Sequence, residues 1–208
     1  MKRRNVIRLN ETKLRKIITE SIKTILKEHY RGKLYHFTTL AGLYGMANTN
    51  ELESSYGDDF RDDDYVQTRK VNNSTFICFT RDGRYDITQS KGEGLISCRL
   101  TFDADKLMSI RGAKLYPVNW KGEESMGEYS ESEERLYVSS ITPLSSFVER
   151  IDIVFNEYAL NNDESVLDYD CVDEDMYDME ETSEINKEVI KRILKSPLGP
   201  KIKISNTK

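Results

Sequence analysis

The feature that most restricts this chain is a change of periodicity at Lys33. Before it, Leu14, Ile18, Ile22 and Ile25 recur at intervals of three or four, which places them on one helical face with Ile17 on its flank. After it, apolar runs of strand length follow one another as far as Phe155, separated by polar stretches. Lys33–Thr38, Ser74–Thr80, Leu95–Phe102, Leu115–Val118, Glu133–Ser139 and Ile151–Phe155 read as strands. Leu40–Met46, capped by Thr38 or Thr39, and the residues after Pro143 read as short helices. Short strands interleaved with short helices predict an α+β fold with a mixed, mostly antiparallel sheet. The polar stretch 48–72, with Asp58, Asp59 and Asp62 to Asp64, reads as a long loop of the lid-like kind.

Charge divides the chain into three. Residues 1–31 carry ten Lys/Arg against three Glu, a balance of +7, while residues 163–184 carry eleven Asp/Glu and no Lys/Arg. The expected organisation is a basic amphipathic helical arm over 1–31, a core over 32–156 and an acidic tail over 157–208. A short C-terminal helix, Ile185 to Leu194, is expected in that tail, ended by Ser196-Pro-Leu-Gly-Pro200 and followed by an edge strand from Lys201 to Ser205. Asn10 is placed to cap the arm helix. Its apolar stripe holds no aromatic, unlike a membrane-surface helix, and no run approaches the roughly 18 apolar residues of a membrane span. Cys78, Cys98 and Cys171 lie far apart without CxxC spacing, which argues against a disulfide framework and a zinc site. A cytoplasmic protein with no membrane partner is the expectation.

Two constellations carry chemistry. His36 stands inside an otherwise apolar strand, between Tyr35 and Phe37, with Thr38 and Thr39 beside it. The second is Glu131-Ser-Glu-Glu-Arg-Leu-Tyr137, where alternation puts Glu131, Glu133, Arg135 and Tyr137 on one face and Glu134 and Leu136 on the other. A carboxylate at such an edge suits stabilisation of a developing cation or deprotonation of a nucleophile. Taken alone, the first is an ordinary core histidine and the second a surface ion pair. Lys91-Gly-Glu-Gly94 reads as a turn and not a phosphate loop, and no Gly-x-Ser-x-Gly elbow is present. The Asp58 to Asp64 acids lack EF-hand spacing, so no metal is expected.

The succession Leu34-Tyr-His-Phe-Thr38, short helix, polar loop, Ser74-Thr-Phe strand ending Phe79-Thr-Arg81, then Glu131 to Leu136 resembles ADP-ribosyltransferase-like proteins. It looks most like the families that open on a Tyr-His-x-Thr strand, among them DarT-type nucleic-acid ADP-ribosyltransferases and related toxin-like proteins. The resemblance covers about residues 33–155 and implies an ADP-ribosyltransferase-like sheet core that uses NAD as substrate. It implies that His36, assisted by Thr38, holds the adenosine-side ribose, and that Glu133 or Glu134 stabilises the ribose cation as nicotinamide leaves. Arg81 would meet the pyrophosphate, Tyr44 or Tyr56 would stack on nicotinamide, and Tyr35, Ser74 and Thr75 would join the NAD-binding set. The chain departs from the arginine-specific class, because its first-strand residue is a histidine and no Arg-Ser-Glu pattern is present.

The opening Asn5-Val-Ile-Arg-Leu-Asn-Glu-Thr-Lys-Leu-Arg-Lys-Ile-Ile-Thr-Glu-Ser-Ile22 is similar to a leader helix on proteins of crAss-like and other Bacteroidetes phages. That implies a phage protein, located in the host cytoplasm or the virion, whose arm binds a phage or host protein. The expected function is transfer of ADP-ribose from NAD to a protein or nucleic-acid acceptor. The alternative is a non-catalytic, virion-associated or interaction protein that works through its leader helix and acidic tail.

Overall fold

Burial along β4 (Ser97–Asp103) shows how the sheet is built. Cys98, Leu100 and Phe102 are fully buried, and the intervening Arg99, Thr101 and Asp103 only partly so. The computed structural model describes residues 13–21, 32–54, 75–81, 83, 95–117, 133–167, 176, 179 and 181–206, of which 116, 117 and 133 by backbone alone. The other strands are β1 (Lys33–Thr39), β2 (Leu52–Glu53), β3 (Ile77–Thr80), β5 (Lys114–Pro117), β6 (Glu133–Tyr137), β7 (Ser140–Ile141), β8 (Val148–Phe155) and β9 (Ile202–Asn206). Seven of them form one sheet in the order β5-β6-β3-β1-β4-β8-β9, and β2 pairs with β7. Every pairing is antiparallel except β8 with β9, so the fold is α+β with a mostly antiparallel sheet.

The described part of the arm, residues 13–21, is helical (α1) and exposed throughout. The later helices are α2 (Leu40–Thr49), α3 (Ala104–Leu107), α4 (Leu144–Phe147), α5 (Glu157–Asn162) and α6 (Thr182–Lys195). Helix α2 follows β1 without a loop, because Thr39 serves as its N-cap: its side chain accepts from the Gly42 amide at 3.1 Å. At the other end Asn50 takes a left-handed conformation, φ 54°, and ties α2 to α4. Its carbonyl accepts from the Leu144 amide at 2.7 Å and its Oδ1 from the Ser145 amide at 2.8 Å.

One apolar cluster joins the sheet face bearing Leu34, Leu100, Phe102, Ile151 and Ile153 to the inner sides of α2 and α6. Tyr44 belongs to this core, at 1% exposure. The helical spacing of Leu40, Leu43, Tyr44 and Ala47 turns all four inward, which corrects its expected place against nicotinamide.

The boundary expected at 156 is also corrected. Val166, Met176, Val189, Ile193 and Leu198 are fully buried in the same cluster, and β9 extends the main sheet through Ile151 opposite Ile202 and Ile153 opposite Ile204. The C-terminal helix and edge strand are therefore parts of the core. Inside the acidic segment, Asp163 is itself buried. It accepts from the Ile96 amide through Oδ2 and from the Ser165 amide at 2.9 Å, and its carbonyl accepts from Asn186 Nδ2 at 2.9 Å. The adjacent carboxylate and, above all, burial push the Cys98 thiol far up, so this cysteine is an inert core residue.

Candidate functional site

Register decides which of the candidate residues share a face. Phe79 pairs with Glu134, and Tyr35 pairs with Thr80, which sets His36 opposite Phe79. His36, Phe79 and Glu134 thus form one row across β1, β3 and β6, and two inter-strand spacings put the outer pair about 10 Å apart at their Cα atoms. Arg81, two residues beyond Phe79, falls on that same face. Glu133 pairs with Thr80, one step out of the row, so of the two candidate glutamates the position beside Phe79 is that of Glu134.

The row is polar at both ends and apolar between. Phe79 is 2% exposed, its ring 5.9 Å from the His36 ring and edge-on to Phe102 at 5.3 Å. His36 Nδ1 lies 2.9 Å from the Cys78 carbonyl oxygen, which only accepts, so Nδ1 carries the hydrogen and donates it. Burial pulls the His36 pKa below its ordinary value, and the Cys78 bond only partly opposes this. The ring is therefore neutral at pH 7 with a lone pair on Nε2. It presents a hydrogen-bond acceptor, which suits a ligand hydroxyl or amide rather than a phosphate.

At the other end Glu134, 3% exposed, is gripped by Arg81: Nε donates to Oε1 at 2.6 Å and Nη2 to Oε2 at 3.0 Å. This is the fork-to-carboxylate geometry that also fits phosphate oxygens. Thr38 shares the face of His36 by alternation, and its hydroxyl occupies the space that a side chain at Gly42 would need, 2.2 Å from such a Cβ. Thr75 is half-buried just ahead of β3. Ser74 and Tyr56 lie outside the described residues.

Tyr35 lies on the opposite face. Its ring stacks under the Arg99 guanidinium at 5.4 Å and against the backbone of Gly83. Arg99 donates to Asp152 Oδ2 at 2.8 Å and to the Gly83 carbonyl, and Arg150 Nε donates to Asp152 Oδ1 at 2.8 Å. Burial alone would raise the Asp152 carboxyl, but its bonds from Arg150 and then Arg99 hold it below the usual carboxylate range. This second cluster was not anticipated from the sequence. The signal for it is a charged residue inside each of two apolar strands, Arg99 within Leu95–Phe102 and Asp152 within Ile151–Phe155.

Among the described residues no helix is long and apolar enough to cross a membrane. No protein-family model matches the chain, and neither a curated protein nor a solved structure shows significant similarity to it.

Proposed function

We propose that this protein is an ADP-ribosyltransferase-like enzyme that cleaves NAD at its nicotinamide bond and passes ADP-ribose to a protein or nucleic-acid acceptor. The observation that carries the reading is the row itself: an imidazole acceptor on β1 and a carboxylate at the start of β6, on one face, with an arginine fork at the carboxylate. In this reading His36 Nε2 accepts a ribose hydroxyl. Arg81 takes the diphosphate, which frees Glu134 to face the oxocarbenium-like ribose as nicotinamide departs. The carboxylate acts there by the electrostatic logic of glycoside cleavage.

The test incubates NAD labelled on its adenylate with cell lysate and wild-type, Glu134→Gln, Glu133→Gln or His36→Ala protein. Label on macromolecules is then partitioned by protease and by nuclease. Transfer by wild type, lost in Glu134→Gln and retained in Glu133→Gln, supports the assignment. A folded wild type that neither transfers label nor gives heat with NAD in calorimetry overturns it.

One observation favours the second reading, a non-catalytic phage interaction or virion protein. Leu14, Ile17 and Ile18 on α1 are each nearly half exposed, which gives the arm an apolar stripe without cover among the described residues. Detection of the chain in purified virions, together with an inert NAD assay, would select this reading.

A further inference from the structure

The polar cluster on the far face is assembled around the turn that carries Arg81. That turn leaves β3 at Thr80, and its Gly83 rests directly on the Tyr35 ring, since a Cβ there would lie 2.6 Å from Tyr35 Cζ. Arg99 closes over the same ring and donates through Nη1 to the Gly83 carbonyl. Its other end is fixed by Asp152, which is 4% exposed and is itself held by Arg150. Arg99 Nε is buried with no hydrogen-bond partner. A donor left unmatched in this way is what remains when a guanidinium is placed for its other contacts.

We infer that Arg99 and Asp152 are positioning residues, which hold Gly83 from one side of the sheet so that Arg81, two residues before it, meets Glu134 on the other. Asp152 sits on β8 and Arg99 on β4, both in the interior of the sheet, so the anchor is built on regular strands while Arg81 and Gly83 lie beyond the end of β3. Arg99 spans the two by hydrogen-bonding Asp152 with one nitrogen and the turn with another, a task that needs the planar fork and that lysine cannot perform. Arg81 then reaches Glu134, and in the transferase reading the diphosphate, with its backbone already set. Only the consequence for ligand binding rests on that reading; the geometric claim stands apart from it.

The experiment follows the Arg81 Nε–H group by NMR in full-length protein labelled with nitrogen-15 arginine, its signal assigned by absence in Arg81→Lys. Exchange of that hydrogen with water is measured without ligand in wild type, Arg99→Lys, Asp152→Asn and Gly83→Ala. Glu134→Gln marks the rate of a weakened pair. The expected result is at least ten-fold faster exchange in Arg99→Lys and Asp152→Asn, with the β4 and β8 backbone amides unmoved. Gly83→Ala leaves the Arg99 and Asp152 side chains unmutated but drives a Cβ into the Tyr35 ring, and it is expected to reach the same rate, which keeps the test decisive if one of the others fails to fold. Unchanged Arg81 exchange in folded Arg99→Lys and Gly83→Ala overturns the inference.

In parallel, ADP-ribose affinity is expected to fall at least ten-fold in the same variants. Faster exchange with no ADP-ribose binding by any protein, wild type included, upholds the positioning role and removes the transferase reading alone.

Discussion

Two buried carboxylates stand on opposite faces of one sheet, and they are held differently. Asp152 lies in an interior strand and accepts from two arginines, one on its own strand and one directly across from it. Glu134 is the second residue of β6 and accepts from Arg81, which stands just past the end of β3. Burying either carboxylate is unfavourable, and charge-assisted bonds must offset the lost hydration. For Asp152 the offset comes from regular strands and is independent of any ligand. For Glu134 the partner has a phosphate-fitting fork and stands beyond the end of its strand, and the row also holds an imidazole acceptor. The comparison separates a carboxylate that organises the fold from one that, in the transferase reading, a diphosphate would release.

The largest expected effect breaks that comparison at Glu134. Glu134→Gln keeps the shape and an acceptor for Arg81 but removes the charge that would face the ribose cation. Label transfer is expected to fall about 10²–10³-fold, as for loss of one transition-state stabiliser, while the melting temperature stays within about 4 °C. Unfolding of Glu134→Gln would show that this carboxylate is structural after all. Asp152→Ala is the reciprocal change and leaves two guanidinium groups without their common partner. Both arginines reach solvent in part, so the cost is set below the ~3–5 kcal/mol of a fully buried pair, at about 2–3 kcal/mol in a denaturant titration. A neutral Asp152→Ala would erase the distinction.

These effects trace how much of the molecule could be read from residues alone. The alternation of Cys98, Leu100 and Phe102 against Arg99 and Thr101 was legible as a half-buried strand, and so was the helical run from Leu40. His36 stood out because an ionisable ring interrupts an apolar strand. The Arg81–Glu134 pair was not legible, because the partners are 53 residues apart and only the register of β3 with β6 joins them. The same register puts Glu134, and not Glu133, in the row with Phe79 and His36. Summed charge misled in the C-terminal part, since eleven acids conceal Val166 and Met176 at core positions. Tyr44 was readable and misread: Leu40, Leu43 and Ala47 already define the buried side of its helix.

A smaller effect concerns pH and sharpens the comparison at the histidine end. The folded pKa of His36 lies below the unfolded value of about 6.5, so between the two the unfolded chain binds more protons. Stability from this group is complete above pH ~6.5 and is lost as pH falls towards the folded value. Denaturant midpoints are expected to rise from pH 5.5 to 7.5 in wild type and to lose that slope in His36→Gln. Asp152 and Asp103, both depressed, lose their contributions only near and below the unfolded carboxylate value of about 3.9, so they add no slope between pH 5.5 and 7.5. A slope that persists unchanged in His36→Gln would assign the titration to another group.

The smallest effect comes from a third cluster, at the rim of the face that carries Asp152. Lys33 Nζ lies 2.5 Å from Glu149, as short as the buried pairs, and 3.4 Å from Asp103. All three side chains are between 35% and 44% exposed, however, so water screens the charges and each long side chain gives up rotamer freedom to hold the geometry. Lys33→Met is therefore expected to cost less than about 1 kcal/mol, an amount that shrinks further when salt is raised from 0.05 to about 0.5 M. The Asp152→Ala cost should be nearly independent of salt over that range. If Lys33→Met proved as damaging as Asp152→Ala, distance and not burial would be setting the strength of these pairs, and the contrast between Glu134 and Asp152 would lose its physical basis.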